Sequence, residues 1–234
     1  MNNIGVILAA GSGSRTGLST PKQFLPLGGK TVWEHSVQTF NNHPSIDQVV
    51  IVTAPEFMER VKAIVKENGW SKVTAVLAGG KERYDSSLAA VRYFADCPDA
   101  VMLFHDAARP LVSERIISDA LKAMEQYDAV DVAIPAVDTI VQCDREGTFM
   151  ESIQDRSLLW RMQTPQGFRQ KTIEKAYCIA LKDHNFTATD DCGTVLRYLP
   201  DVKVGIVRGS ERNIKLTYAD DLALLQFLLS EPER

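Results

Sequence analysis

The sequence is poor in cysteine and has none in a pair. Four cysteines, Cys97, Cys143, Cys178 and Cys192, are scattered over 234 residues without a Cys-x-x-Cys spacing. That excludes the usual zinc patterns and a disulfide framework, and it is expected of thiols kept reduced in the cytosol. Long hydrophobic runs are missing too; no stretch reaches the ~18 apolar residues of a membrane span. The opening Met1-Asn2-Asn3-Ile4 has no basic region and no cleavage site, so no signal peptide is expected. Excess positive charge is also lacking. The formal net charge is −4, which argues against wrapping duplex DNA but leaves room for a local pocket for a small anion. Internal repeats, low-complexity tracts and linkers are absent. Together these absences predict a cytoplasmic protein with neither nucleic-acid nor membrane partners.

What is present is ordinary globular material. Hydrophobic residues make up 45% and charged residues 24% of the chain, which excludes intrinsic disorder as the main state. A chain of this length buries a sizeable core without a metal or disulfide. Short apolar runs alternate with helical patterns. Ile4–Ala9, Gln48–Thr53, Val73–Leu77, Val101–His105 and Asp131–Pro135 read as strands apolar on both faces, as in a buried parallel sheet. Helical spacing lies over Glu56–Glu67, Ser86–Phe94 and Ser113–Tyr127, the last opened by a capping serine. Lys171–Leu181, Asp190–Leu199, Val202–Val207 and Tyr218–Leu229 resume the alternation. The pattern predicts one α/β domain over residues 1–234, a Rossmann-like, doubly wound and mostly parallel sheet. Its ligand crevice belongs at the carboxyl ends of the strands.

Residues 137–163 break that rhythm. Their β-type pattern, with a turn at Arg145-Glu146-Gly147, predicts a protruding β-arm. An isolated hairpin is marginally stable in water, so a partner subunit is expected to cover it.

The first strand runs into Ala9-Ala10-Gly11-Ser12-Gly13-Ser14-Arg15-Thr16-Gly17, followed by Pro21-Lys22-Gln23-Phe24. Small residues let backbone N–H groups approach a polyphosphate. A P-loop is excluded because Lys-Ser or Lys-Thr is missing at the required spacing. A dinucleotide fingerprint fits poorly, because Thr16 stands at the third glycine and no acid follows the second strand. What remains is a phosphate cradle flanked by Arg15 and Lys22, or simply a solvated loop with two surface cations.

Further motifs decide between these. Gly79-Gly80-Lys81-Glu82-Arg83-Tyr84-Asp85-Ser86, His105-Asp106-Ala107-Ala108-Arg109-Pro110, Asp138-Thr139, Gln163-Thr164-Pro165-Gln166, Thr189-Asp190-Asp191 and Asn213-Ile214-Lys215-Leu216-Thr217 follow in order. From Ile4 to about Phe227, the chain resembles the 2-C-methyl-D-erythritol 4-phosphate cytidylyltransferases and the related D-ribitol-5-phosphate cytidylyltransferases. The resemblance implies transfer of a cytidylyl group from CTP to a polyol phosphate with release of pyrophosphate. It implies Arg15, Lys22 and Lys215 as the catalytic cations. Ala9, Ala10, Gly11, Gly13, Ser14, Gly79, Arg83 and Ser86 are implied for CTP, and Asp106, Arg109, Thr139, Arg156, Thr164 and Thr189 for the acceptor. It further implies Mg²⁺ held mainly by phosphates, with Asp106 as the protein carboxylate near it, and a homodimer formed through the arm.

Other readings follow from single features. His105 suits a structural or substrate-facing role better than a general base, because an ionised phosphate nucleophile needs none. Two departures touch the acceptor. Val141 stands where the methylerythritol branch is expected to carry a basic residue, and Cys192-Gly193 departs from the usual small-residue run. Methylerythritol phosphate is the expected acceptor and ribitol phosphate the alternative. A non-catalytic nucleotide-binding homologue and a sugar-1-phosphate nucleotidyltransferase are disfavoured, the first by Arg15, Lys22 and Lys215 together.

Overall fold

A computed structural model describes residues 2–11, 20–188 and 190–231. The first apolar runs become β1 (Asn3–Ala9), β4 (Gln48–Thr53), β5 (Val73–Ala78) and β6 (Val101–Asp106), with the small hairpin β2 (Pro26–Leu27) and β3 (Lys30–Thr31) after β1. Further on come β7 (Ala129–Pro135), β8 (Val141–Cys143), β9 (Met150–Ile153), β10 (Trp160–Arg169) and β11 (Val204–Arg208). Seven strands form one sheet in the order β11-β7-β10-β6-β1-β4-β5. β10 runs antiparallel to both β6 and β7, and the remaining pairings are parallel.

Alternation along each strand builds the two faces. Val101 and Leu103 of β6 join one core cluster with Trp33, Phe40, Val61 and Ile116. Met102 and Phe104 point the other way, to Val91, Phe168, Tyr177 and Val195. Helices α1 (Val32–Asn42), α2 (Met58–Asn68) and α4 (Glu114–Ala123) therefore cover one face. Helices α3 (Arg83–Tyr93), α5 (Gln170–Ala180) and α6 (Asp191–Tyr198) cover the other, and α7 (Asp221–Ser230) packs on β2. This is the doubly wound arrangement that the apolar runs imply. Burying each large side chain of these clusters contributes roughly 1.5–3 kcal/mol.

Several boundaries differ from the sequence expectation. Helix α1 and the hairpin before it are additional; Thr31 and Glu34 form a capping box at the start of α1. Helix α3 begins at Arg83 rather than Ser86, because Glu82 and Asp85 cap it. Ser113 stands at the N-cap of α4, but its hydroxyl makes no capping bond. The arm is shorter than 137–163. Trp160, Arg161 and Met162 already pair with β7, so β10 takes over from residue 160. What protrudes is the β8–β9 ribbon and a 3₁₀ turn at Arg156–Leu158. Its turn is closed by Asp144, whose carboxylate accepts from the N–H groups of Thr148 (2.7 Å) and Phe149 (3.1 Å). Gly147 there has φ +68°, a conformation that favours glycine.

Candidate active site

The chain runs β1, β4, β5 to one side of β1 and then returns to β6 on the other. Ligands in open α/β sheets bind at such a switch point, beyond the carboxyl ends of the strands. Here those ends are Ala9–Gly11 and Asp106, in adjacent register, with Ala107 N–H donating to the Leu8 carbonyl at 3.0 Å.

One half of the site is built from the loop after β1. The buried side chain of Gln23 donates to the carbonyls of Ala9 (2.8 Å) and Gly11 (2.9 Å), so it fixes the path of the loop. Gly79, at the end of β5, lies directly against it. A Cβ on Gly79 would collide with the Ala10 methyl and stand 2.7 Å from the Ser86 hydroxyl oxygen. Ala10, Gly79 and Ser86 therefore meet at one point, with Arg83 a turn earlier on α3. Lys22 opens a 3₁₀ turn (Lys22–Phe24) beside this loop. Gly13, Ser14 and Arg15 lie outside the described residues, as does Thr189.

The other half centres on Asp106. Its Oδ2 lies 2.7 Å from Lys215 Nζ and 3.9 Å from Arg109 Nε, and its Oδ1 lies 3.5 Å from Arg83 Nε. Burial alone would push this carboxyl up. Lys215, Arg83 and Arg109 outweigh burial and hold it well below the usual carboxylate range. Arg83 Nη1 also pairs with buried Asp191 at 2.6 Å, and the Tyr177 hydroxyl donates to the other Asp191 oxygen. Arg83 thus joins the nucleotide side to the Asp106 side. Its pKa is raised even against the cost of burial, chiefly by Asp191 and then Asp106.

Thr164 sits in the β-bulge of β10 between Met162 and Gln166, before a cis Thr164–Pro165 bond. A bulge re-aims a side chain. Here it points the hydroxyl back at β6, where Asp106 N–H donates to Thr164 Oγ1 at 3.1 Å. Thr164 Oγ1 stands 2.9 Å from His105 Nδ1, and His105 Nε2 stands 3.0 Å from the Arg109 carbonyl. A carbonyl only accepts, so neutral His105 carries its proton on Nε2 and accepts from Thr164 on Nδ1. Burial pulls the His105 pKa down to about 4. His105 is therefore a buried strut of the Asp106–Arg109 turn and not a substrate-facing base.

The segment 213–217 is tied down in the same way. Buried Asn213 donates to the Thr164 carbonyl at 2.8 Å, Arg109 Nη1 donates to the Asn213 carbonyl at 2.7 Å, and Leu216 N–H donates to the Ala108 carbonyl at 2.8 Å. These bonds bring Lys215 to Asp106. Sequence reasoning assigned no role to Gln23, Asn213, Gln166 or Asp191. All four lie within the ordered motifs, and that membership is the available signal. Gln166 accepts from Asp191 N–H (3.1 Å) and donates to buried Asp131 (3.0 Å). Burial raises the Asp131 pKa to about 7, with nearby Asp190 adding to it and the Gln166 bond opposing. Cys192 is buried and its thiol pKa is raised by burial, so it is a packing residue.

Thr139 and Arg156 are not brought to this cluster within the chain. Both are exposed on the arm, where Arg156 Nη1 donates to the Val137 carbonyl at 2.9 Å. Among the described residues no group of three His, Cys, Asp or Glu side chains could hold a metal. Asp106 has cations at both oxygens. Such a donor set fits a divalent ion carried on nucleotide phosphates and does not fit a resident one. No described helix is long and apolar enough to cross a membrane.

Comparison with known proteins agrees with this geometry. A family model described as IspD, 2-C-methyl-D-erythritol 4-phosphate cytidylyltransferase, matches residues 4–231. The 2-C-methyl-D-erythritol 4-phosphate cytidylyltransferase of Thermobifida fusca is 45% identical, over 95% of this chain and 91% of that protein. A bifunctional ribulose 5-phosphate reductase/CDP-ribitol pyrophosphorylase of Haemophilus influenzae is also 45% identical, and the chain spans 46% of its length. Among solved structures, the 4-diphosphocytidyl-2C-methyl-D-erythritol synthase of Anaerococcus prevotii superposes with a TM-score of 0.84 at 25% identity, over 98% of this chain and 96% of that one. The chain belongs to the 2-C-methyl-D-erythritol 4-phosphate cytidylyltransferase family of nucleotidyltransferases.

Proposed function

We propose that the chain transfers the cytidylyl group of CTP to 2-C-methyl-D-erythritol 4-phosphate. A phosphate oxygen of the acceptor forms the new bond to the α-phosphorus of CTP. The bond between that phosphorus and the α–β bridging oxygen breaks, and pyrophosphate leaves with the electron pair. The acceptor phosphate is already ionised, so no general base is required. The difficulty is electrostatic: two anions meet, and charge builds on the α-phosphate. Fixed cations in a site with little water stabilise that charge far better than water does.

The observation that carries the reading is the Asp106 cluster at the switch point. Three cations, Arg83, Arg109 and Lys215, surround two carboxylates, Asp106 and Asp191, leaving a positive excess for phosphates. Lys22 and Arg15 act at the CTP phosphates and Lys215 at the transferring group. Base recognition is assigned to the backbone of Ala9–Gly13 with Gly79, Arg83 and Ser86, because a small backbone-lined pocket admits cytosine and excludes a purine by size. Asp106 and Thr189 suit polyol hydroxyls, and Thr164, whose hydroxyl is taken by His105 and the Asp106 N–H, shapes the wall beside Asp106. Arg109 and Arg156 suit the acceptor phosphate, which a guanidinium fork can grip by two oxygens. The divalent ion, Mg²⁺, arrives on CTP.

The protein works in the cytoplasm as a homodimer whose arm carries Thr139 and Arg156 into the partner's site. Phe149, Met150, Ile153 and Leu158 on the arm are each more than 60% exposed, which is apolar surface without cover in one chain.

Ribitol 5-phosphate is the second reading. It rests on the equal identity to the CDP-ribitol pyrophosphorylase and on Val141 in the arm. Pyrophosphate release from CTP and Mg²⁺ with each acceptor decides between them. A large kcat/KM advantage for the methylerythritol substrate is expected. The opposite preference transfers the assignment to ribitol, and turnover of neither removes it.

A further inference from the structure

We infer that Asp191, steadied by Tyr177, is a positioning residue that aims Arg83 and so keeps Asp106 available to the acceptor. The inference deepens the proposed function, because it takes Asp106 as an acceptor-binding group. Asp191 opens α6 and is wholly buried, although it carries a charge. A buried carboxylate persists only when it is paired and hydrogen-bonded. Its partners are Arg83 Nη1 at 2.6 Å, the Tyr177 hydroxyl, and, through its own N–H, Gln166 Oε1 at 3.1 Å. Tyr177 is itself in the core, and its pKa is pushed up by burial and then by Asp191, so it remains a donor.

The consequence lies at the other edge of the guanidinium. Asp191 holds Nη1, so only Nε of Arg83 faces Asp106, at the long distance of 3.5 Å. Asp106 Oδ1 is thereby left with a loose partner, while Oδ2 is held by Lys215. Without the Asp191 charge, Arg83 is free to turn its fork onto Asp106 and form a two-point pair, the geometry arginine and carboxylate prefer. That pairing occupies the oxygen which the acceptor hydroxyls need. Asp191 touches neither substrate; it acts through Arg83 over a sequence separation of 108 residues.

The test is Asp191→Asn, assayed with CTP and acceptor varied separately. The acceptor KM is expected to rise about tenfold, the change that a coupling of about 1.4 kcal/mol produces. Because Arg83 also serves the nucleotide side, the CTP KM is expected to rise too, but by less than the acceptor KM. Tyr177→Phe should shift the acceptor KM in the same direction by less. In an Arg83→Gln background, Asp191→Asn should add nothing further to KM. Asp191→Asn should also lower the unfolding temperature more in the native background than in Arg83→Gln, because the Arg83–Asp191 pair can be lost only once. An unchanged acceptor KM in Asp191→Asn overturns the inference. So do additive losses in the double variant, whether in acceptor KM or in unfolding temperature. Should the native protein turn over neither acceptor, the proposed function fails by itself, and the inference with it as regards the acceptor; the unfolding comparison then reads the Arg83–Asp191 coupling alone.

Discussion

Replacing Lys215 by methionine removes the nearest cation from Asp106 while keeping the length of the side chain. At an effective dielectric near 20, the gross attractions at 2.7, 3.5 and 3.9 Å are about 6, 5 and 4 kcal/mol for Lys215, Arg83 and Arg109. Desolvation cancels much of each, so their ratio is the useful quantity. Arg83 and Arg109 retain more than half of the total, and Asp106 stays ionised. The fold should survive, because the Lys215 side chain is one-third exposed and its segment is anchored by Asn213 and Leu216. The transition state loses a fixed positive charge. By comparison with removal of an oxyanion donor, that costs roughly 2.7–4 kcal/mol, or about 10²–10³ in kcat. Pyrophosphate release at saturating CTP and acceptor measures it, with thermal unfolding as the control. Lys215→Arg should recover part of the rate. A Lys215→Met enzyme within about fivefold of native kcat would refute the reasoning, as would an inactive one that is simply unfolded.

Asp131 gives a prediction in pH. Native Asp131 keeps its proton to about pH 7, whereas the unfolded side chain loses it near the ordinary carboxylate value of 3.8. The folded state therefore binds the extra proton in between, and this group's contribution to stability is lost as pH rises through that window, by roughly 4 kcal/mol in all. Asp131→Asn should gain on the native protein progressively from pH 4 to 7 in chemical denaturation; a constant difference would contradict the assignment. The arm gives another. Mixing Arg156→Ala chains with Lys22→Ala chains should restore part of the activity, because one of the two sites in a mixed dimer is intact. Mixed dimers that form and remain inactive would place each site within a single chain.

The sheet was legible because its central strands are apolar on both faces, a pattern that needs no knowledge of neighbours. β10 was not. Gln163-Thr164-Pro165-Gln166-Gly167 lacks the apolar run of a buried strand, yet it lies buried beside β6 and β7. Its polar groups are satisfied by Asp131, Asn213, Asp191 and His105, all distant in sequence. Helix α1 is marked in the sequence by Thr31, Glu34 and the spacing of Val32, Trp33, Val37 and Phe40. The motifs supplied the residues of the site. They could not supply the links between them, because the Arg83–Asp191, Asp106–Lys215 and Arg109–Asn213 contacts each span more than 100 residues. Such links exist only once the strand order is set.

The proposed transfer to the acceptor phosphate is direct and electrostatically driven, with no covalent enzyme intermediate. His105 is a buried strut and Cys192 a buried thiol, so neither serves as a nucleophile. The stereochemical course at the α-phosphorus tests this most directly, using CTP made chiral there by a single sulfur substitution. One in-line displacement inverts the configuration, and inversion is the predicted result. Retention would require two displacements through a covalent cytidylyl-enzyme, and would rule out direct transfer.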